Sequence, residues 1–250
     1  MKQLFTRTPV PEYVEYSSVH VGAGERYHRR FAEQPGRALM WELERAALER
    51  IVAQTAPASI LDFACGTGRI SSFLEERFPQ MPIWGIDIAE SMLELARQGA
   101  RRTEYLQMSS SEAIAHFGEK RFDLVVAFRF FANAEPSLRE SVAADLVRLV
   151  AERGSIVLNN HRNFWSTSYI ARRAAGQPAY GAINGDLERL FERHGFRRER
   201  RLSLGVWPQG DTHALMLPWK AVRAIEKANL AWPAAHHGLG YNTLLVFTRR

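Results

Sequence analysis

Ile60-Leu61-Asp62-Phe63-Ala64-Cys65-Gly66-Thr67-Gly68-Arg69-Ile70 decides how this chain is read. Ile60, Leu61 and Phe63 form a short apolar run. Ala64, Gly66 and Gly68 follow with little or no side-chain bulk, and Ile70, Phe73 and Leu74 then recur at helical spacing. The pattern predicts a buried strand, a tight turn and a helix. A turn this bare lets a ligand lie directly on backbone N–H groups at the helix's positive end. Further on, Ile83-Trp84-Gly85-Ile86-Asp87 predicts a second strand ending in a carboxylate, placed to accept ribose hydroxyls. Together the two segments point to a nucleoside-type cofactor.

Outward from that pair the chain alternates. Strands are expected near 59–64, 82–87, 103–108, 122–128 and 154–160, with helices at 68–78, 90–98, 111–117 and 136–152. Strands alternating with helices imply βαβ units, a mostly parallel sheet and right-handed crossovers. Upstream, residues 1–22 read as an extended lead-in. A helical pattern starts near Glu25 and resumes, after Pro35-Gly36, from Arg37 to Ala53. Leu39, Met40, Leu43, Ala47 and Ile51 mark its apolar side, and Glu42, Glu44, Arg45, Glu49 and Arg50 its polar one. Downstream, helices are expected at 166–175 and 186–194, with Gly195 as a left-handed stop and Phe196 folding back. Strands at 200–206 and 243–247 bracket an insertion with a helix at 218–230.

The chain has 250 residues and a formal charge of +6, which fits one α/β domain with decorated ends. The lone Cys65 excludes an internal disulfide framework and suits a reducing compartment. The N-terminus lacks an apolar leader and no run reaches membrane length, so a cytoplasmic location without membrane partners is expected. The basic excess is mostly arginine scattered in pairs, among them Arg29-Arg30 and Arg197-Arg198. Scattered charge reads as a solvated face, and a nucleic-acid partner is not expected.

The ordered set of motifs resembles the class I S-adenosylmethionine-dependent methyltransferases across roughly residues 55–206. Leu61 to Gly68 is similar to their acidic residue and Gly-x-Gly-x-Gly loop, and Gly85-Ile86-Asp87 to the end of their second strand. Phe122 to Phe128 is similar to their fourth-strand motif, and Gly195-Phe196 to the turn before their sixth strand. The resemblance implies a Rossmann-like α/β fold: a seven-stranded, mostly parallel sheet with an antiparallel last strand and helices on both faces. It also implies an N-terminal helical lid over residues 1–54 and a core over 55–250, whose insertion at about 207–241 forms part of the substrate pocket. Two departures stand out. Ala64 replaces the first glycine, which is tolerated at negative φ, and Gln107 stands where an acidic residue often follows the third strand.

The resemblance names S-adenosylmethionine as cofactor, with S-adenosylhomocysteine as product. Asp62, Ala64, Gly66, Gly68 and Asp87 are the expected loop and ribose contacts. Ile88 and Met92 are placed around adenine, Met92 reading equally as core. Ser109, Ser110 and Phe128 sit at the carboxyl ends of strands, where open α/β sheets bind ligands; Ser111 reads as a helix cap. Tyr27, Arg29, Arg30 and Arg37 precede the core, and Tyr27 is carried as a cofactor contact. His161, leaving the fifth strand, is the candidate catalytic base, with His213 behind it. Arg129 and Asn133 are candidates to orient substrate, and Trp207, Trp219 and Trp232 either line a pocket wall or pack. No metal site is expected, because His236-His237 lacks a third ligand.

The expected function is methyl transfer to a small molecule, with oxygen of a sugar or secondary-metabolite hydroxyl as the acceptor atom. Two alternatives stay open: an NAD(P)-dependent oxidoreductase, since the loop also suits a dinucleotide, and a catalytically silent S-adenosylmethionine-binding protein.

Overall fold

The computed structural model describes residues 33–178, 181–232 and 238–250. The expectation for Tyr27, Arg29, Arg30, His236 and His237 lies outside those residues. Helix α1 (Pro35–Thr55) leads into β1 (Ile60–Phe63), α2 (Arg69–Arg77), β2 (Ile83–Asp87), α3 (Glu90–Gly99) and β3 (Glu104–Gln107). Then follow α4 (Ser110–Phe117), β4 (Phe122–Ala127), α5 (Pro136–Leu149) and β5 (Val150–Asn160). The chain closes with α6 (Thr167–Ala174), α7 (Asn184–Arg193), β6 (Phe196–Leu204), α8 (Trp219–Ala231) and β7 (Asn242–Arg249).

The strands form one seven-stranded sheet in the order β3-β2-β1-β4-β5-β7-β6. Strands β1 to β5 run parallel, and β7 is antiparallel to both β5 and β6. The order reverses beside β1, between β1 and β4, so their carboxyl ends open into the crevice where such sheets take ligands. Both faces are covered. Alternation along β4 sends Val125 and Ala127 into a core shared with α5 and α7, and Leu124 and Val126 into one shared with α1 and α2. Leu39, Leu43, Ala47, Leu48 and Ile51 seat α1 in that second core.

Several expected boundaries move for physical reasons. Helix α5 stops at Leu149 rather than 152, because Val150 pairs with Phe122 and starts β5. Gly154 therefore lies within β5, at an irregular register where a Cβ would stand 2.9 Å from the Phe122 carbonyl oxygen. Strand β6 begins at Phe196, directly after the left-handed Gly195 (φ 80°), not at 200. Helix α1 starts at Pro35 rather than at Arg37, since proline at the first helical position loses no hydrogen bond. No helix among the described residues is long and apolar enough to cross a membrane.

Candidate functional site

One cavity of about 580 Å³ opens at the carboxyl ends of β1, β2, β4 and β5. Its floor is the loop after β1. Cys65 N–H donates to the Ile86 carbonyl (3.0 Å) and Gly68 N–H to the Cys65 carbonyl (3.0 Å), folding the chain back on itself. Gly66 has φ 55°, and a Cβ there would meet nothing within 4 Å, so its bare backbone faces open space. Asp87 braces this turn: Oδ2 accepts from Gly66 N–H (2.8 Å) and Oδ1 from Ala89 N–H (2.9 Å). Burial pushes the Asp87 pKa up, opposed by the N–H groups of Ala89, Gly66 and Ile88.

Asp62 lies beneath the loop, almost wholly buried, and its Oδ2 accepts from Ser71 N–H (3.1 Å) and Ser71 Oγ–H (2.5 Å). Burial raises its pKa to about 7, against the Ser71 hydrogen bonds and the Arg69 charge. Asp62 thus caps the start of α2 from below while also lining the cavity. Ile88, Met92, Ser109, Ser110 and Phe128 line the same cavity. Ser109, not Ser111, is the cap of α4: its Oγ accepts from Glu112 N–H, and Ser109 N–H donates to Glu112 Oε2 (2.7 Å). Ser110 is turned inward and donates to Asp145 Oδ2 (2.6 Å).

Two expectations about the loop are corrected. Ala64 does not keep negative φ; it sits at 53°, a left-handed conformation that costs a non-glycine about 1 kcal/mol or more. Gly68 does not line the cavity. A Cβ there would come 2.4 Å from Tyr105 Oη and 2.9 Å from Cζ, so this glycine lets α2 pack on β3.

His161 is where the fifth strand was expected to deliver it: buried, lining the cavity, with a buried Nδ1 that has no hydrogen-bond partner. Burial, then the charges of Arg129, Arg162, Arg37 and Arg69, hold its pKa well below the usual imidazole value. It is neutral at physiological pH. His213 is exposed and does not line the cavity; Thr212 Oγ1 lies 2.6 Å from its Nδ1. Trp207 and Trp219 pack against the second core, and Trp232 is exposed, so no tryptophan forms a wall. The insertion supplies Gln209, Gly210 and Asp211 instead. Glu226 of α8 anchors it by accepting from Gly205 N–H (2.9 Å) and Trp207 N–H (2.7 Å).

Three features of the site go beyond the sequence reading. Thr67 lines the cavity with a buried Oγ1 that lacks a partner. Arg37 pairs with Asp211 (2.8 Å) and ties α1 to the insertion across the cavity. Glu44, expected on the polar side of α1, is fully buried. It accepts from Asn242 Nδ2 (2.7 Å), Arg69 Nη1 (3.0 Å) and Asn159 Nδ2 (3.2 Å), with Arg129 Nη2 at 3.4 Å. Burial raises the Glu44 pKa, but the arginines and hydrogen bonds outweigh it and leave the pKa lowered.

Comparison with known proteins bears on this geometry. Residues 60–154 match the family model described as "Methyltransferase domain". The magnesium protoporphyrin IX methyltransferase of Synechocystis PCC 6803, solved with S-adenosylmethionine bound, superposes with a TM-score of 0.62 at 13% identity, covering 98% of this chain and all of that one. A methyltransferase from Archaeoglobus fulgidus superposes at 0.58 and 17% identity, covering 84% of this chain and 94% of that one. The fold is that of the class I methyltransferases.

Among curated relatives, the Thermus thermophilus demethylmenaquinone methyltransferase is 35% identical over 49% of this chain and 54% of its own length. A trans-aconitate 2-methyltransferase from Azoarcus sp. is 27% identical over 64% of this chain and 59% of its own. The chain spans about half the length of the curated relatives it matches. The residues lining the cavity fit a ligand such as the S-adenosylmethionine bound in the Synechocystis structure. Thr67 Oγ1 offers an unused polar group, Gly66 leaves the loop bare, and Asp87 carries a carboxylate at the end of β2.

Proposed function

We propose that the chain transfers a methyl group from S-adenosylmethionine to oxygen of a small-molecule acceptor. One observation carries the reading: the glycine loop braced by Asp87 and the buried His161 with its unused Nδ1 line a single cavity. The cofactor, when bound, supplies an activated methyl on sulfur. The cofactor contacts are Asp87 and Thr67 as polar partners, Gly66 and Ala64 as the backbone cradle, and Ile88, Met92 and Phe128 as apolar walls. Asp62 supports the loop from beneath, and Ser109 and Ser110 order the edge after β3.

Methyl transfer asks chiefly for alignment and exclusion of water. His161 is proposed to meet the acceptor, where a neutral imidazole can accept its hydrogen bond or its proton. Phe130, Leu138, Val142 and Met40 also line the cavity. These apolar groups suit the body of a secondary metabolite better than a sugar. Relatives named for demethylmenaquinone and trans-aconitate agree with a small-molecule acceptor.

Calorimetry tests the reading. The protein should bind S-adenosylhomocysteine and ignore NADH; the opposite preference would make it a dinucleotide enzyme. Release of S-adenosylhomocysteine from S-adenosylmethionine in the presence of metabolite extracts separates an enzyme from a silent binder.

A further inference from the structure

We infer that the rim of the cavity is a docking face for an anionic lipid bilayer. Six of the eight large apolar side chains that stand exposed among the described residues gather there: Trp165, Ile170, Ile183, Leu215, Met216 and Leu239. Trp165 is 53% exposed and Met216 89%. Backbone hydrogen bonds bring their segments together around the turn from β5 into α6. Phe164 N–H donates to the Ala182 carbonyl (3.0 Å), beside Ile183, and Thr167 N–H to the Leu239 carbonyl (3.1 Å). Gln209 N–H donates to Ser168 Oγ (3.1 Å), and the pairing of Gln209 with Ala214 sets Leu215 close by. The same turn begins with His161 and Arg162, which line the cavity as Gln209 does. The exposed apolar face therefore borders the cavity mouth, and an apolar surface gathered at one place marks an interaction site.

Charge selects what covers it. Between Gly154 and Gly185 the chain carries Arg162, Arg172 and Arg173 and no aspartate or glutamate. Among the described residues none of the three has an ion-pair partner. The next carboxylates along the chain, Asp186 and Glu188 on α7, are held by Arg189 and by Arg198 and Arg201. Asp211 of the insertion, counted at full charge and with no credit to its partner, still leaves the face net positive. Arg173 lies over the rings of Phe164 and Trp165 (4.3 and 5.6 Å), and an indole beside a guanidinium suits the layer between water and hydrocarbon. Six side chains fall well short of the roughly 20–30 residues a side that a stable protein interface uses. A protein seated here would also close the mouth, whereas a lipid surface lets apolar ligands enter toward Met40, Phe130, Leu138 and Val142. The expectation of no membrane partner rested on the lack of a spanning run, and side chains that reach only the headgroup layer need none. The inference goes beyond the methyl-transfer reading and does not depend on it.

Co-sedimentation with vesicles tests it, using phosphatidylcholine alone against phosphatidylcholine with about one-third phosphatidylglycerol. The protein should bind the anionic vesicles about tenfold or more tightly than the neutral ones, since each arginine near such a surface is worth about fivefold. Arg172→Glu should lower that affinity about tenfold or more, by removing one positive charge and adding a negative one. Trp165→Ser combined with Ile170→Ser should abolish sedimentation, because binding scales with the apolar area inserted. Thermal denaturation reports that each variant is folded. Equal binding to neutral vesicles, or binding that survives either substitution, overturns the inference. So does a failure to bind either vesicle, which would leave the face to a protein partner.

Discussion

Gly66 and Gly68 stand two residues apart in one loop, yet alanine at each should do opposite things. At Gly68 the φ of 71° costs an L side chain about 1 kcal/mol. The new methyl would also stand 2.4 Å from Tyr105 Oη, 2.9 Å from Cζ and 3.0 Å from Ala96 Cβ. Tyr105 is buried and cannot swing clear, because Gly85 already lets its ring pass. Overpacking of this kind costs about 1–3 kcal/mol. The total for Gly68→Ala is about 2–4 kcal/mol, or on the order of 4–16 °C in Tm for a chain of this size.

At Gly66 only the backbone cost of about 1 kcal/mol applies, since a Cβ meets nothing within 4 Å. That empty space is where the cofactor is proposed to lie. Gly66→Ala should therefore fold nearly as well as the parent and lose S-adenosylhomocysteine affinity. Thermal denaturation with matched calorimetry reads both effects. Tyr105→Phe, by removing the nearest atom, should restore part of the stability lost in Gly68→Ala and none of the binding lost in Gly66→Ala. Equal destabilisation by the two alanines would falsify the assignment of Gly68 to packing and Gly66 to the ligand.

Asp87→Ala should weaken S-adenosylhomocysteine binding by about 1.5–3 kcal/mol per lost charged hydrogen bond; an unchanged dissociation constant removes Asp87 from the site. Glu44→Gln should cost about 3–5 kcal/mol at neutral pH, because it leaves Arg69 and Arg129 short of their buried partner. The folded pKa of Glu44 lies below its unfolded value, so this stabilisation is present above about pH 4.5 and is lost as pH falls through the folded value. Denaturant midpoints of parent and variant should accordingly converge on acidification, and a constant gap would refute the ion-pair account. His161→Ala should spare cofactor binding and lower turnover about tenfold, the worth of one hydrogen bond. A loss of about 10²–10⁴ would instead mark a general base, and full turnover would place His161 outside the reaction.

What could be read along the chain was whatever local chemistry fixes. Strand β1, the small-residue turn, α2 and the terminal Asp87 of β2 follow from an apolar run, glycines and helical spacing within a few residues of one another. The alternation of strands and helices carried the sheet, and β7 closed it antiparallel as the resemblance implied. His161 was placed because it leaves a strand at the carboxyl end, where any parallel sheet opens.

Only the tertiary structure decided the rest, since the partners are far apart in the chain. Glu44 falls at helical spacing from Met40, Ala47, Leu48 and Ile51, on the buried side of α1, but nothing near it in sequence says which groups balance its charge there. Its partners Arg69, Arg129, Asn159 and Asn242 lie 25, 85, 115 and 198 residues away. Gly68 reads as a ligand glycine until Tyr105, on another strand, is seen to occupy the space beside it. Ala64 adopts a backbone that its residue type disfavours, because the strand before it and the helix after it dictate the turn. Backbone punctuation and hydrophobic period act over a turn or two and are written locally. Charge pairing and close packing join residues that meet only when the sheet is complete.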